Sequence, residues 1–415
     1  MNKSRTPVSI LIVLLCVVLL LGVVWANYRF AQYRLFGEGF SIQWLGIHAL
    51  VSEGANPYSE LITTRIQDAV KSVYGFSPGV APKYTSPLYS AIITFPFALI
   101  NSQATAHSVW FAIQLVVVFA ILLLCIKLTA WKPAWYILLL FTIFTIFSYH
   151  VVMPWLDGSL SIWSALFLVS ALLAISQNRD EVAGILLGLS AFQPQMVILP
   201  IIFTLIWAGA HKRRLLILWF FILLILLSII GMFLVPDWII QYLRLLFNYS
   251  ENFPPGTPGF LFQDLWPGIG RQLGWVISGV LLVILAFEWW LARRREFRWF
   301  TWTICLTIVI SQWIGIPTIP ANFIVLLIPL VFVTAMLAER WPRGGNWVAT
   351  ISCMLLFVWE WGLFYLDITG SQPAMQLNLL IPLPLLLLIG LYWVRWWAIK
   401  PRKLLVEELK FSESY

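Results

Sequence analysis

Residues 182–208 read Val-Ala-Gly-Ile-Leu-Leu-Gly-Leu-Ser-Ala-Phe-Gln-Pro-Gln-Met-Val-Ile-Leu-Pro-Ile-Ile-Phe-Thr-Leu-Ile-Trp-Ala. The run is uncharged and longer than the about 20 apolar residues that cross a bilayer as a helix. Arg179 precedes it and His211-Lys212-Arg213-Arg214 follows it. A single crossing would put basic residues on both faces, against the cytoplasmic bias of Lys and Arg. At the centre stands Phe192-Gln193-Pro194-Gln195. Proline removes a backbone donor and leaves a carbonyl unpaired, which two neighbouring amide side chains can help to satisfy. Two short helices meeting in a break, a hairpin returning to the face it left, restore the charge bias. One kinked span is the other reading.

Working outward, apolar runs of similar length recur along all 415 residues. The chain is 61% hydrophobic and 11% charged, with a mean hydropathy of +0.88, whereas soluble domains carry about 25% charged residues. Spanning segments must satisfy their own backbone, and these runs lack the alternation of barrel strands, so helices remain. The expected fold is all-α: a polytopic integral membrane protein of about 11–12 transmembrane helices, counting the broken or re-entrant pair, in a single membrane domain over 1–415. The net charge of +8 does not point to nucleic acid. Its basic residues sit in short runs between apolar spans, as membrane anchors do. Cys16, Cys125, Cys305 and Cys353 lie inside apolar runs without a CxxC partner, so neither a disulfide nor a metal site is implied.

Lys3 and Arg5 precede the first apolar run, Val8–Asn27. Its start resembles a signal peptide, but the apolar part exceeds a usual signal core and is read as a retained first span. The positive-inside rule then places both termini in the cytoplasm and residues 28–88 and 236–273 outside, as two external loops. In the first, Phe40, Trp44, Ile47 and Val51 form the stripe of an interfacial helix over 41–52, with His48 at its edge. Gly54-Ala55-Asn56-Pro57 ends it and a second short helix covers 58–74. The second loop is expected to hold an interfacial helix over 237–248 and a turn-rich stretch over 253–259.

Candidate chemistry gathers on the external side. Glu38, between Gly37 and Gly39, is placed to act as a general base toward an incoming hydroxyl, or is a solvated loop acid. Asp157 follows His150 at the outer end of a span; the two could handle protons together, or Asp157 caps the next helix. Gln193 and Gln195 either line a polar cavity or satisfy the backbone around Pro194. Lys83, Arg65, Arg244 and Arg271 lie on the face that the basic bias avoids, which suits a phosphate leaving group or a lipid headgroup.

Four stretches in order resemble the polyprenyl-phosphate-sugar-dependent glycosyltransferases of the C superfamily, family 87 in particular. They are Gly54-Ala55-Asn56-Pro57-Tyr58; Lys83-Tyr84-Thr85-Ser86-Pro87-Leu88-Tyr89; Asp157-Gly158-Ser159-Leu160; and Ala183–Gly188 leading to Gln193-Pro194-Gln195. The resemblance implies an inverting transferase that moves a hexose such as mannose from a polyprenyl-phosphate carrier to a lipid or glycan acceptor at the outer face of the cell membrane. It implies an acid of the first loop as base, no metal and no cofactor. Asn56, Tyr58, Tyr84, Lys83, Arg65, Gln193 and Gln195 would contact substrate, and Glu38, Asp157 and His150 would carry the chemistry. Membrane lipids are the other expected partners. The family usually has Asp directly before the Phe of the first loop; here Gly39 holds that place and Glu38 stands one residue earlier. Ser86, Ser159 and Gln193 likewise replace a Pro, a Gln and a Lys of the family pattern. A transporter or flippase of lipid-linked sugars is the alternative that the Pro194 break suggests, and a non-catalytic relative is the one that the departures from the family pattern suggest.

Overall fold

A computed structural model describes residues 18, 20–29, 38–74, 82–252, 262, 266–314, 320–341, 344–369, 379 and 381–399. Regular structure among them is helical throughout, with no strand, as the composition requires of a chain that must close its own backbone in lipid. Residues 18 and 20–29 are helical; the rest of the expected first span and the 253–259 stretch lie outside the described residues.

The first loop holds α1 (Glu38–Glu53) and α2 (Glu60–Tyr74), then a 3-10 turn (Leu88–Ser90) leading into α3 (Ala91–Ala98). The bundle continues with α4 (Gln103–Thr129), α5 (Trp135–Ile146), α6 (Tyr149–Asp157), α7 (Ser161–Ser176), α8 (Asp180–Ser190), α9 (Pro194–Ala210) and α10 (Arg214–Leu234). The second loop carries α11 (Trp238–Asn252). Then come α12 (Gly270–Ala292), α13 (Phe297–Ser311), a 3-10 segment (Pro320–Leu326), α14 (Leu327–Arg340), α15 (Gly345–Thr369) and α16 (Pro382–Ile399).

Among the described residues six helices are long and apolar enough to cross a membrane; α5 and α6, bent by 54°, form a broken span or a re-entrant pair, and four apolar helices are shorter. The short ones explain why apolar runs alone suggest about 11–12 crossings. Composition also sorts the helices by depth. The span ending in α14 is 83% buried within the protein, while α10 is 22% buried and turns Phe221, Ile225 and Phe233 outward. An all-round apolar helix with an open face is what lipid contact calls for. α14 is the hub, packed on α4, α13, α15 and α16.

Residues 180–210 fold as the re-entrant pair. Gly184 and Gly188 of α8 lie against Phe220 and Leu223 of α10, so α8 runs parallel to the start of α10. The chain between them must therefore return. Arg213, just past α9, donates from Nε to Asp180 Oδ1 at 2.7 Å and from its Nη groups to Ile175 O, which closes the hairpin at its base. At the tip Ala191 O accepts from the Tyr89 hydroxyl (2.8 Å) and Gln193 N–H donates to Ser164 Oγ (3.0 Å). These bonds satisfy backbone groups that the break exposes.

Both loops share one apolar cluster. Ile47 of α1, Ile62, Ile66 and Val70 of α2, and Tyr84 and Leu88 pack with Val235 at the end of α10 and with Trp238 and Tyr242 of the second loop. Phe40, Trp44 and Ile47 of the α1 stripe are buried as expected, while Val51 is exposed.

Candidate active site

α6 carries Asp157 as its last residue. The helix ends there because Gly158 adopts φ +70, and the Gly158 and Ser159 amides donate back to Trp155 O and Pro154 O. A left-handed C-cap of this kind suits glycine. A Cβ at Gly158 would lie 2.5 Å from Phe40 Cβ, so close packing requires glycine as well. Two side chains one turn apart on α4 hold the turn: Trp110 Nε1–H donates to Gly158 O (3.0 Å) and Gln114 Nε2 to Ser159 O (2.8 Å).

The carboxylate that this turn presents reaches the first turn of α1. Asp157 Oδ1 accepts the Gly39 N–H at 2.9 Å. A carboxylate is well placed at that positive helix end. It caps α1, from another helix, and not the helix that follows it in sequence. Gly39 is the position at which the resemblance leads one to expect Asp. A Cβ there would collide with the Asp157 carboxylate, its nearest carbon being 2.9 Å away. The space open to a side chain at 39 is thus occupied by an acid from α6. The next residue, Phe40, is fully buried between His107 (5.5 Å) and Trp110 (5.4 Å) and fixes the start of α1 on α4. Glu38 opens α1 directly beside Gly39; its side chain lies outside the described residues.

The other candidates fall into distinct environments. Lys83 is exposed in the extended stretch before the 3-10 turn, and Arg244 and Arg271 are exposed as well. Arg65 forms a two-pronged pair with Glu53 (2.9 and 2.7 Å), both half exposed. Asn56 joins the loops: its Nδ2 donates to Gln241 Oε1 (2.9 Å) while its Oδ1 accepts the Tyr58 N–H (3.0 Å). Tyr58 donates to Ser86 O (2.7 Å) and packs edge-on to Tyr84 at 5.3 Å. Tyr84 is 1% exposed, inside the cluster that joins the loops. Burial pushes the Tyr58 and Tyr84 hydroxyls well above the ordinary phenol range, so both stay neutral donors at working pH. Gln195 Nε2 donates to Gln193 Oε1 (2.6 Å) at the hairpin tip, beside the fully buried Phe192. His150 is two helical turns before Asp157 and lies 3.6 Å from Glu360 of α15, so it faces the bundle interior.

Sequence reasoning passed over Trp110, Gln114, Gln241 and Glu360. For Glu360 a signal exists, since an acid inside an apolar span is by default functional or paired. For the other three there is none: their partners lie 45 to 185 residues away. Among the described residues no group of His, Cys, Asp and Glu has the arrangement of a metal site.

A half-buried carboxylate, with one oxygen on a backbone amide and a second acid beginning the same helix, has the makings of a proton acceptor at the loop-bearing end of the bundle. No curated protein and no solved structure gives a match to the chain. The family model for glycosyltransferase family 87 matches residues 84–311, more than half of the chain and inclusive of the Asp157 turn, the re-entrant pair and Lys83's neighbour Tyr84. This polytopic helical protein therefore belongs to glycosyltransferase family 87.

Proposed function

We propose that the chain transfers a hexose, of which mannose is the example, from a polyprenyl-phosphate carrier to a lipid or glycan acceptor at the outer face of the membrane, with inversion. Support comes from one observation above others: the Asp157 carboxylate is delivered onto the amide of Gly39, beside Glu38, at the end of the bundle where both loops meet. In the reaction the acceptor oxygen forms its bond to the sugar C1 as the bond from C1 to the phosphate oxygen breaks. The polyprenyl phosphate leaves as the anion and the hydroxyl proton passes to a carboxylate. Asp157, with its position fixed by the α6 turn, is the first candidate for that base, and Glu38 shares the role or helps to orient the acceptor. Lys83, exposed in the first loop, would meet the phosphate. His150, facing Glu360, takes no part at the reacting atoms.

Purified protein supplied with a labelled polyprenyl-phosphate sugar and membrane lipid tests this. Transfer to an acceptor is expected, and Asp157→Asn should lower it by about 100-fold or more, the usual contribution of a positioned base. Full activity of Asp157→Asn with loss in Glu38→Gln would move the base to Glu38. Movement of the intact carrier across liposomes without sugar transfer would overturn the reading in favour of a flippase. In the structure the Pro194 break is closed by Phe192 and by the Tyr89 and Ser164 bonds.

A further inference from the structure

The bend between α5 and α6 is bridged on both sides by one turn of α15. Trp361 Nε1–H donates to Phe147 O, at the end of α5, at 2.8 Å. Glu360 Oε2 accepts the Tyr149 N–H, the first amide of α6, at 3.1 Å, and the carboxylate also takes the His150 amide. The same face of α15 packs on Tyr149 through Trp361 (6.0 Å) and Phe364 (5.3 Å). Glu360 is 1% exposed, and its other oxygen faces the His150 ring, which lies tilted against Phe323 with ring centres 5.0 Å apart. Beside the pair lies a cavity of about 20 Å³, lined by Thr145, Ser148 and Leu356 among others, which is room for one water.

A buried acid inside a spanning helix is costly unless its oxygens have hydrogen-bond partners. Here they accept from amides at the start of α6, the helix that ends on Asp157. Ser148, the residue before α6, makes no capping bond of its own. From Tyr149 to Asp157 the helix is about 12 Å long at 1.5 Å per residue. A tilt of about 10° at its base would therefore move the Asp157 carboxylate by about 2 Å, and displacements of about 1 Å at a reacting group can cost about 100-fold in rate. We infer that Glu360, with Trp361 as its partner, is a positioning residue: it splints the α5–α6 bend from α15 and so fixes where Asp157 meets Gly39. This inference rests on the role given to Asp157 under the proposed function.

Its test has an arm that needs no activity. Nitroxide labels at Leu139 of α5 and Met153 of α6, in a background with the four cysteines replaced by alanine, report the bend as a distance distribution. Glu360→Leu, which keeps the bulk and loses the acceptor, should shift or broaden that distribution. Glu360→Gln, which keeps an oxygen for the Tyr149 amide, should preserve it. Trp361→Phe, a milder change that removes one donor, should broaden it less. In the transfer assay Glu360→Leu should lower kcat about 10- to 100-fold with the donor KM within about twofold, and Glu360→Gln should rescue most of it. An unchanged distribution in Glu360→Leu overturns the splint. A changed distribution with unchanged kcat overturns its link to Asp157. If the wild-type protein moves no sugar at all, the proposed function fails while the label distances still decide whether the splint exists.

Discussion

At the scale of single residues the contact between Gly39 and Asp157 carries the most weight. Under the proposed function an acid placed by side-chain geometry would be as useful as one placed by sequence position, because an acceptor hydroxyl would meet a carboxylate at a point in space. Gly39 leaves that point free, and Asp157 fills it. Gly39→Ala should therefore crowd the carboxylate, lower the unfolding free energy by about 1–3 kcal/mol as overpacking does, and reduce transfer at least about 10-fold. Asp157→Ala in the same protein should restore part of the lost stability, since the carboxylate is gone while the Asp157 carbonyl 3.0 Å away stays, but not the transfer. A thermal-unfolding double-mutant cycle checks this, and strictly additive effects would show that the two sites do not touch. The sequence makes Asp157 a candidate through its position at a span end. It leaves Gly39 looking like a loss, because the acid that occupies the space beside it sits 118 residues away and no local pattern connects them.

At the scale of elements, what local chemistry dictates was legible and what long-range contact dictates was not. The stripe of Phe40, Trp44 and Ile47 marks α1 within a few residues of its observed ends, and Gln193-Pro194-Gln195 marks the re-entrant break. The α5–α6 bend escapes the sequence. Ser148-Tyr149-His150 carries neither Gly nor Pro, and its conformation is stabilised from α15 by Glu360 and Trp361. The alternative reading of Asp157 as a cap of the next helix, when it ends α6 and bonds the start of α1, follows from missing that bend. The joining of the two loops is likewise a matter of tertiary contact: Asn56 reads as a turn residue and also bonds Gln241 at 2.9 Å. Gln241 in turn donates to Asp237 (2.7 Å). Asn56→Ala and Gln241→Ala should each destabilise the protein, and the pair should couple by about 0.5–1.5 kcal/mol, the usual net strength of such a bond. Zero coupling in thermal unfolding would mean that the loops are held by the shared apolar cluster alone.

At the scale of the whole molecule, the ion pairs outside the first loop draw the basic segments to one end. Arg213 with Asp180, Arg298 with Glu339, and the bond from Trp207 Nε1 to Arg295 O place the base of the hairpin beside the starts and ends of α13 and α14. Arg298 also reaches Ala398 O at the end of α16. α7 runs from that base, where Arg213 bonds Ile175 O, to the end where Ser161 follows the Asp157 turn. The candidate site therefore lies across the bundle from the basic end. Since Lys and Arg favour the cytoplasm, the site should face outward, where a carrier in the outer leaflet can reach it. Single cysteines at His211 and at Lys83 test this with a membrane-impermeant maleimide. Lys83→Cys should be labelled in intact cells, and His211→Cys only after the membrane is opened. The reverse pattern would put Asp157 in the cytoplasm and remove the outer-leaflet donor from the proposal. Labelling of both from outside would go further, because the Arg213–Asp180 closure of the hairpin and the run of α7 from that base to the Asp157 turn would then be incompatible with a membrane around the bundle.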